Sequence, residues 1–166
     1  SLTDQLVAYA DRTGTPLLSG TTNMTEAQHE AFAKLGEKLP VIWASNYSLG
    51  VNLFMHILPQ VAAVLPDWDI EITETHHNKK VDAPSGTAKS MAEIVECAMQ
   101  KEVPVTSHRE GEVPGTHVLQ FESAVDRIVL SHEAFGREGF ATGAVEAAVA
   151  VQKLDGVYDF KDIIFQ

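Results

Sequence analysis

Three observations predict an α/β chain in which the two ends build one lobe around a mixed α+β middle. The first third alternates helical and strand patterns in the order of a parallel sheet. From about residue 68 the apolar residues switch to a period of two, the mark of half-exposed strands. A small-residue helical pattern, "GFATGAVEAAVAVQKL", then returns near the end. The expected division is 1–47 with 138–166 as one discontinuous lobe and 48–137 as the other.

Each element follows from local pattern. Leu2, Leu6, Val7 and Ala10 recur at helical spacing, with Gly14 as a stop and Pro16 beyond it. "PLLSG" reads as a short buried strand running into "GTTN". Thr25 and Gln28 have capping-box spacing and predict a helix over about 25–38. "VIWA" is a second strand, ending in "SNYSLG". Leu49, Leu53, Phe54, Ile57, Leu58, Val61, Ala62 and Leu65 mark a long helix with Pro59 as an expected kink. "WDIEITETH" alternates as a strand, and a helix over about 85–101 should bury Ala88, Met91, Ala92, Val95 and Met99. "VPVTSHR", "HVLQFES" and "DRIVLSHEA" predict three further strands, the last two a hairpin around Ala124 and Val125.

Composition narrows the partners. The 166 residues carry 12 basic and 23 acidic side chains, a net charge of −11. That balance speaks against a nucleic-acid or anionic-membrane surface. An anionic ligand needs a local basic pocket. The one cysteine, Cys97, excludes an intrachain disulfide and a cysteine zinc cluster, and its apolar surroundings predict a core position. No apolar run has the length of a membrane span, so the cytoplasm is the expected location. The chain starts within a helix and without an initiator Met, the pattern of a piece of a longer protein.

One stretch gathers chemistry: "ETHHNKKVDAPSGTAK", residues 74–89. Ser85 can cap a helix whose first N–H groups, at Gly86 and Thr87, face outward at its positive end. An ordinary capped helix and an anion site both fit these residues. His76 and His77 at a strand end point opposite ways, and Lys79 and Lys80 add positive charge. Such a set suits a small ligand with more than one carboxylate, beside an imidazole able to move a proton near neutral pH. A solvated polar loop is the bland alternative. A metal site using His76 or His77 with His108, His117 or His132 ranks lower, since no carboxylate or cysteine closes it at ligand spacing. No metal is expected.

The run from Glu71 to Ala88, with Glu74, His76, His77, Lys80 and "DAPSGTA", resembles the signature of the dihydrodipicolinate reductase family, also called 4-hydroxy-tetrahydrodipicolinate reductases. "SGTTN", "ASNYSLGVNLF", "REGEVPGTH" and "REGFATGAV" extend the resemblance over nearly the whole chain. It implies a Rossmann-like dinucleotide lobe, a mixed α+β lobe for substrate and oligomerisation, and a homotetramer joined through the sheet. It implies His76 as catalytic proton donor and acceptor and Lys80 as proton donor. His77, Gly86 and Thr87 become substrate contacts. Gly20, Thr21 and Thr22, with Ala44, Ser45, Asn46 and Tyr47, become contacts to NADH or NADPH. The implied substrate is a cyclic imine dicarboxylate of lysine and diaminopimelate biosynthesis.

Two departures from the family pattern bear on function. The strand, Gly-rich turn and helix that open the family's dinucleotide lobe have no counterpart here, which predicts weak cofactor binding by this chain. The usual glycine after "GTT" is Asn23, a residue that tolerates a left-handed backbone. Two rivals stand beside the reductase: a non-catalytic oligomerisation and dicarboxylate-binding fragment, and a Schiff-base lyase using Lys79 or Lys80. The lyase ranks last, because nothing around those lysines desolvates them.

Overall fold

A computed structural model describes residues 1–22 and 24–165. The turn at Asn23 therefore lies outside the described residues. The chain divides into two compact units, Ser1–Leu49 with Glu138–Gln166, and Gly50–Arg137.

The first unit is a parallel α/β layer. Helix α1 spans Leu2–Thr13, opened by a Ser1–Asp4 capping box and closed by Gly14 in the left-handed region. Strand β1 (Leu17–Ser19) follows, then helix α2 (Glu26–Gly36), opened by the expected Thr25–Gln28 capping box. Strand β2 (Val41–Trp43) pairs in parallel with β1. Near the end of the chain, helix α5 (Glu138–Ala150) passes through one 3-10 turn into β7 (Val157–Tyr158), and α6 (Phe160–Ile164) closes the unit. Strand β7 joins the sheet in the order β1-β2-β7, all parallel. One face packs Ala10, Leu17, Phe32, Leu35 and Val41; the other packs Ile42, Ala44, Tyr47, Ala147 and Phe160. Gly143 makes the second packing possible, since a Cβ there would lie 1.8 Å from the Tyr47 carbonyl oxygen. Helix α1 differs from expectation in its face. Thr3 and Ala10 are buried, whereas Leu2 and Leu6 are exposed. The helix meets its neighbours along the Thr3–Ala10 line, and apolar spacing alone does not distinguish the two edges of that stripe.

The second unit is a mixed four-stranded sheet with two helices on one face. Helix α3 (Leu49–Ala63) runs through Pro59 as one element. Strands β3 (Asp69–His76), β4 (Val105–Arg109), β5 (Gly115–Glu122) and β6 (Arg127–Ala134) assemble in the order β4-β3-β5-β6. The β3–β4 pair is parallel and is connected through helix α4 (Gly86–Met99); β3–β5 and the hairpin β5–β6 are antiparallel. All five α4 residues expected inside are buried. Met91, Ala92, Val95 and Met99 meet Val51, Phe54, Leu58 and Ala62 of α3 and Ile70, Ile72, Leu119 and Phe121 of the sheet in one core. Cys97 is exposed, not a core residue. It lies two residues past buried Val95, about 200° round a helix of 3.6 residues per turn.

Register orders the helix-facing side of the sheet into rows. Val105, Ile72, Leu119 and Leu130 lie abreast across all four strands. Two residues along, the row becomes Ser107, Glu74, His117 and His132. The apolar core thus ends at a polar row, and that row is the floor of the site.

Candidate functional site

Strand alternation sends Ile70, Ile72, Glu74 and His76 to one side of β3, and all four are buried. A carboxylate with no exposure costs several kcal/mol unless its oxygens are met by donors. Glu74 is met from three directions. Its Oε1 accepts from Arg109 Nη1 at 3.0 Å and from the Ser85 backbone N–H at 3.3 Å. Its Oε2 faces His76 Nδ1 in a hydrogen bond. Burial pushes the Glu74 carboxyl up, but the side chains of Ser107, His76 and Arg109 more than reverse that, leaving it below the ordinary carboxylate range.

His76 is 8% exposed. Burial pushes its imidazole below the ordinary histidine range; Glu74 opposes this, and Lys80 and Arg109 reinforce it. Its Nε2 edge lies against Gly115, where a Cβ would stand 3.0 Å from Nε2. His117 packs edge-on with ring centroids 5.2 Å apart, and its Nε2 is 3.3 Å from Ser85 Oγ. Burial, then the neighbouring His76 and His132, lower His117 to about 4. His117 is therefore neutral at physiological pH.

The helix start is built as the sequence implies. Ser85 is the N-cap of α4 and accepts from the Ala88 N–H at 3.1 Å. Gly86 is exposed and Thr87 half-buried in the first turn. The basic groups are less free than their number suggests. Lys79 pairs with Glu112 at 3.1 Å, Lys80 with Asp82 at 2.9 Å, and Arg109 with Glu74. Lys80, first of all, holds the Asp82 carboxyl below its ordinary range. An incoming anion has to share Lys80 with Asp82 or draw it away. His77 follows the strand end, half-buried, its Nδ1 without a hydrogen-bond partner.

The second unit therefore brings His76, Lys80, Gly86 and Thr87 onto the β3 end, its following loop and the start of α4. Glu74, Arg109, Ser85, His117 and Gly115 join them; sequence reasoning named Ser85 only as the cap of the anion-site helix, His117 only in the low-ranked metal reading and Glu74 only within the family signature, and gave Arg109 and Gly115 no role. Glu74 was within reach, two residues before His76 on the same strand face. Arg109 and Gly115 come from other strands, and only register places them here. Among the described residues, no group of three or more His, Cys, Asp or Glu is placed to hold a metal ion. At the other end of β3 and β5, a groove of about 430 Å³ is lined by Asp69, Glu71 and Glu122, a poor host for an anion.

The residues expected from the sequence to contact a nucleotide lie on the first unit. Ser19 and Trp43 are register partners, so the turns after β1 and β2 leave the sheet side by side at its carboxyl edge. Gly20, Thr22 and Ser45 are exposed there, Thr21 and Asn46 half-buried, and Ala44 and Tyr47 buried. Tyr47 donates its hydroxyl to the Ser19 carbonyl at 2.7 Å, and Trp43 Nε1 donates to the Thr21 carbonyl at 2.9 Å. Burial pushes the Tyr47 phenol up, so it stays protonated. These two rings clamp the first turn. The Tyr47 side chain is thus a structural anchor, and its backbone is what it can offer a ligand.

Comparison with known proteins bears on what these parts are. Residues 50–164 match the family model described as dihydrodipicolinate reductase, C-terminus. The 4-hydroxy-tetrahydrodipicolinate reductase of Thermosipho africanus is 39% identical over 158 residues, covering 95% of this chain and 71% of its own. The protein of that name from Xanthomonas euvesicatoria pv. vesicatoria is 38% identical over 160 residues, covering 96% and 67%. A solved structure of a dipicolinate-bound dihydrodipicolinate reductase from Paenisporosarcina sp. TG-14 shares the fold, with a TM-score of 0.83 over 98% of this chain and 69% of that one, at 24% identity. No helix among the described residues is long and apolar enough to cross a membrane.

Proposed function

The chain belongs to the dihydrodipicolinate reductase family, and from that premise we propose that it serves the NADH- or NADPH-dependent reduction of 4-hydroxy-tetrahydrodipicolinate, by way of dihydrodipicolinate, to tetrahydrodipicolinate. The reaction belongs to lysine and diaminopimelate biosynthesis. One observation carries the reading: a buried imidazole, His76, held by a buried carboxylate beside Lys80 and an open helix start.

In this reading the second unit takes the substrate. Gly86 and Thr87 meet one carboxylate with helix-end N–H groups and a hydroxyl. His77 supplies a further polar contact. Lys80 leaves Asp82 for the incoming dianion. The dicarboxylate in the Paenisporosarcina structure supports this ligand class. Gly20, Thr21 and Thr22, with Ala44, Ser45, Asn46 and Tyr47, hold the cofactor on the first unit; exposed small residues at the carboxyl ends of neighbouring parallel strands fit a dinucleotide. NADH or NADPH, when bound, supplies the hydride. His76 and Lys80 then meet the negative charge that develops on the ring nitrogen and deliver the proton that balances it.

A homotetramer joined through the second sheet completes the proposal. Strand β6 is one of the two outer strands of that sheet, and Ile128 and Val129 on it are 37% and 51% exposed. Apolar residues on an open sheet edge invite pairing with another copy.

The decisive experiment follows the fall in reduced-cofactor absorbance with 4-hydroxy-tetrahydrodipicolinate. At cofactor concentrations high enough to offset the weak binding expected of this chain, turnover that His76→Ala abolishes is expected. Binding of the dicarboxylate without turnover by either cofactor would reduce the chain to a binding fragment.

A further inference from the structure

The three anchors on Glu74 come from three elements: Arg109 from β4, the Ser85 N–H from the entry to α4, and His76 from β3 itself. An ionised carboxylate accepts and cannot donate. The nitrogen facing it must therefore carry the hydrogen. From this we propose, resting on the reductase reading above, that Glu74 is a positioning residue that locks neutral His76 with its proton on Nδ1, so that Nε2 is the atom that exchanges a proton with substrate.

The surroundings agree with this division of the ring. The Nδ1 edge is closed by Glu74, which Arg109 and Ser85 hold in place. The Nε2 edge faces Gly115, the one residue type that leaves that atom uncovered at this distance. When Nε2 gains a proton, the ring becomes an imidazolium in a buried place that Lys80 and Arg109 make more positive. The Glu74 charge offsets that. The other titratable groups nearby do not take its place: His117 on β5 is neutral, His132 on β6 is pushed down by burial, and Asp82 is engaged with Lys80. The protons balance. Nε2 takes a proton from solvent to give the imidazolium, passes that proton to the substrate and keeps the N–H bonding pair as its lone pair, while the other hydrogen stays on Nδ1 and is donated to Glu74 throughout.

The test is a long-range ¹H–¹⁵N spectrum of histidine-labelled protein at pH 8, with His76 assigned by its loss in His76→Ala. The expected pattern is Nδ1 protonated and Nε2 bare. Glu74→Gln keeps the shape but turns an amide toward donors. It should release the lock, so that the Nε2–H form appears, and it should move the alkaline limb of the kcat profile to lower pH. It should lower kcat on the order of 100-fold, with KM within about threefold. Glu74→Asp should restore part of kcat and the original tautomer. A wild-type spectrum with the proton on Nε2 would overturn the proposal, even if Glu74→Gln fails to fold. So would a folded Glu74→Gln protein with unchanged tautomer and pH profile. Absence of reductase turnover in the wild type would remove the reductase reading, and with it the role of Nε2; the Nδ1 lock is decided by the spectrum alone.

Discussion

Gly115→Ala places one methyl group where the site has no room for it. The new Cβ would stand 3.0 Å from His76 Nε2 and 3.3 Å from Cδ2, against the 3.4 Å at which ordinary contact begins. The ring has to retreat by a few tenths of an ångström. Its far edge is pressed on Glu74, itself fixed by Arg109 at 3.0 Å and the Ser85 N–H at 3.3 Å. Retreat therefore means a tilt, and the methyl also shields Nε2. Misplacement by about 1 Å can cost about 100-fold in rate; a shift of tenths of an ångström with partial shielding should cost about 10- to 100-fold in kcat. The substrate carboxylate contacts at Gly86 and Thr87 are untouched, so KM should change by less than about threefold. Steady-state rates from cofactor absorbance, with a thermal melt to confirm folding, give both numbers. A folded Gly115→Ala protein with kcat within twofold of wild type would refute the reasoning, because the imidazole would then not work through the edge that faces this glycine.

Lys80→Ala should lower kcat by about 100-fold or more if the ammonium acts in the transition state, whereas Thr87→Ala should mainly raise KM, by about 1.5–3 kcal/mol for a hydrogen bond to a charged group; the reverse split would make Lys80 a holder of the dianion. His117 titrates at about 4 in the folded state against 6.5 unperturbed. The unfolded chain therefore binds more protons between those values, and the stability His117 contributes is present above pH 6.5 and lost as pH falls through 4. Urea unfolding at pH 7 and pH 4 should show a loss that shrinks by about 3 kcal/mol in His117→Gln; an equal loss in both proteins would place the proton elsewhere. Light scattering at micromolar concentration should give the mass of four chains, and a clean monomer would sink the tetramer.

Signals carried by neighbours in the chain were legible in the sequence. The Thr25–Gln28 capping box, the Gly14 stop and the Ala88–Met99 stripe need only a few consecutive residues, and all three stand as read. Leu2 and Leu6 were misjudged because spacing fixes a stripe, not which edge of it meets the core. Cys97 was misjudged because apolar surroundings in sequence are not surroundings in space. The same distinction divides the site. His76, Lys80, Gly86 and Thr87 fall within one short segment, where a motif can display them together. Arg109 reaches Glu74 from 35 residues away, and Gly115 comes opposite the end of β3 only through antiparallel register. The stretch "REGEVPGTH" shares in the family resemblance, but nothing local in it gives either residue its place beside His76 and Glu74.

The change of row on the second sheet has a further consequence. Strand alternation penalises a slip of one residue, because it exchanges core and solvent faces. A slip of two keeps every apolar residue inside and would pass that check. Here such a slip of β3 against both neighbours would set Glu74 opposite Val105 and Leu119 in place of Ser107 and His117, and would draw the carboxylate away from Arg109 on β4. An ionised carboxylate stranded among leucines and isoleucines is among the most costly arrangements a core can hold. The polar row thus works as a notch in a key: a misaligned sheet is penalised by the same residues that an aligned sheet presents for chemistry. Substitutions that make this row apolar would remove the chemistry and the alignment mark together, and the sheet would become more tolerant of being wrong.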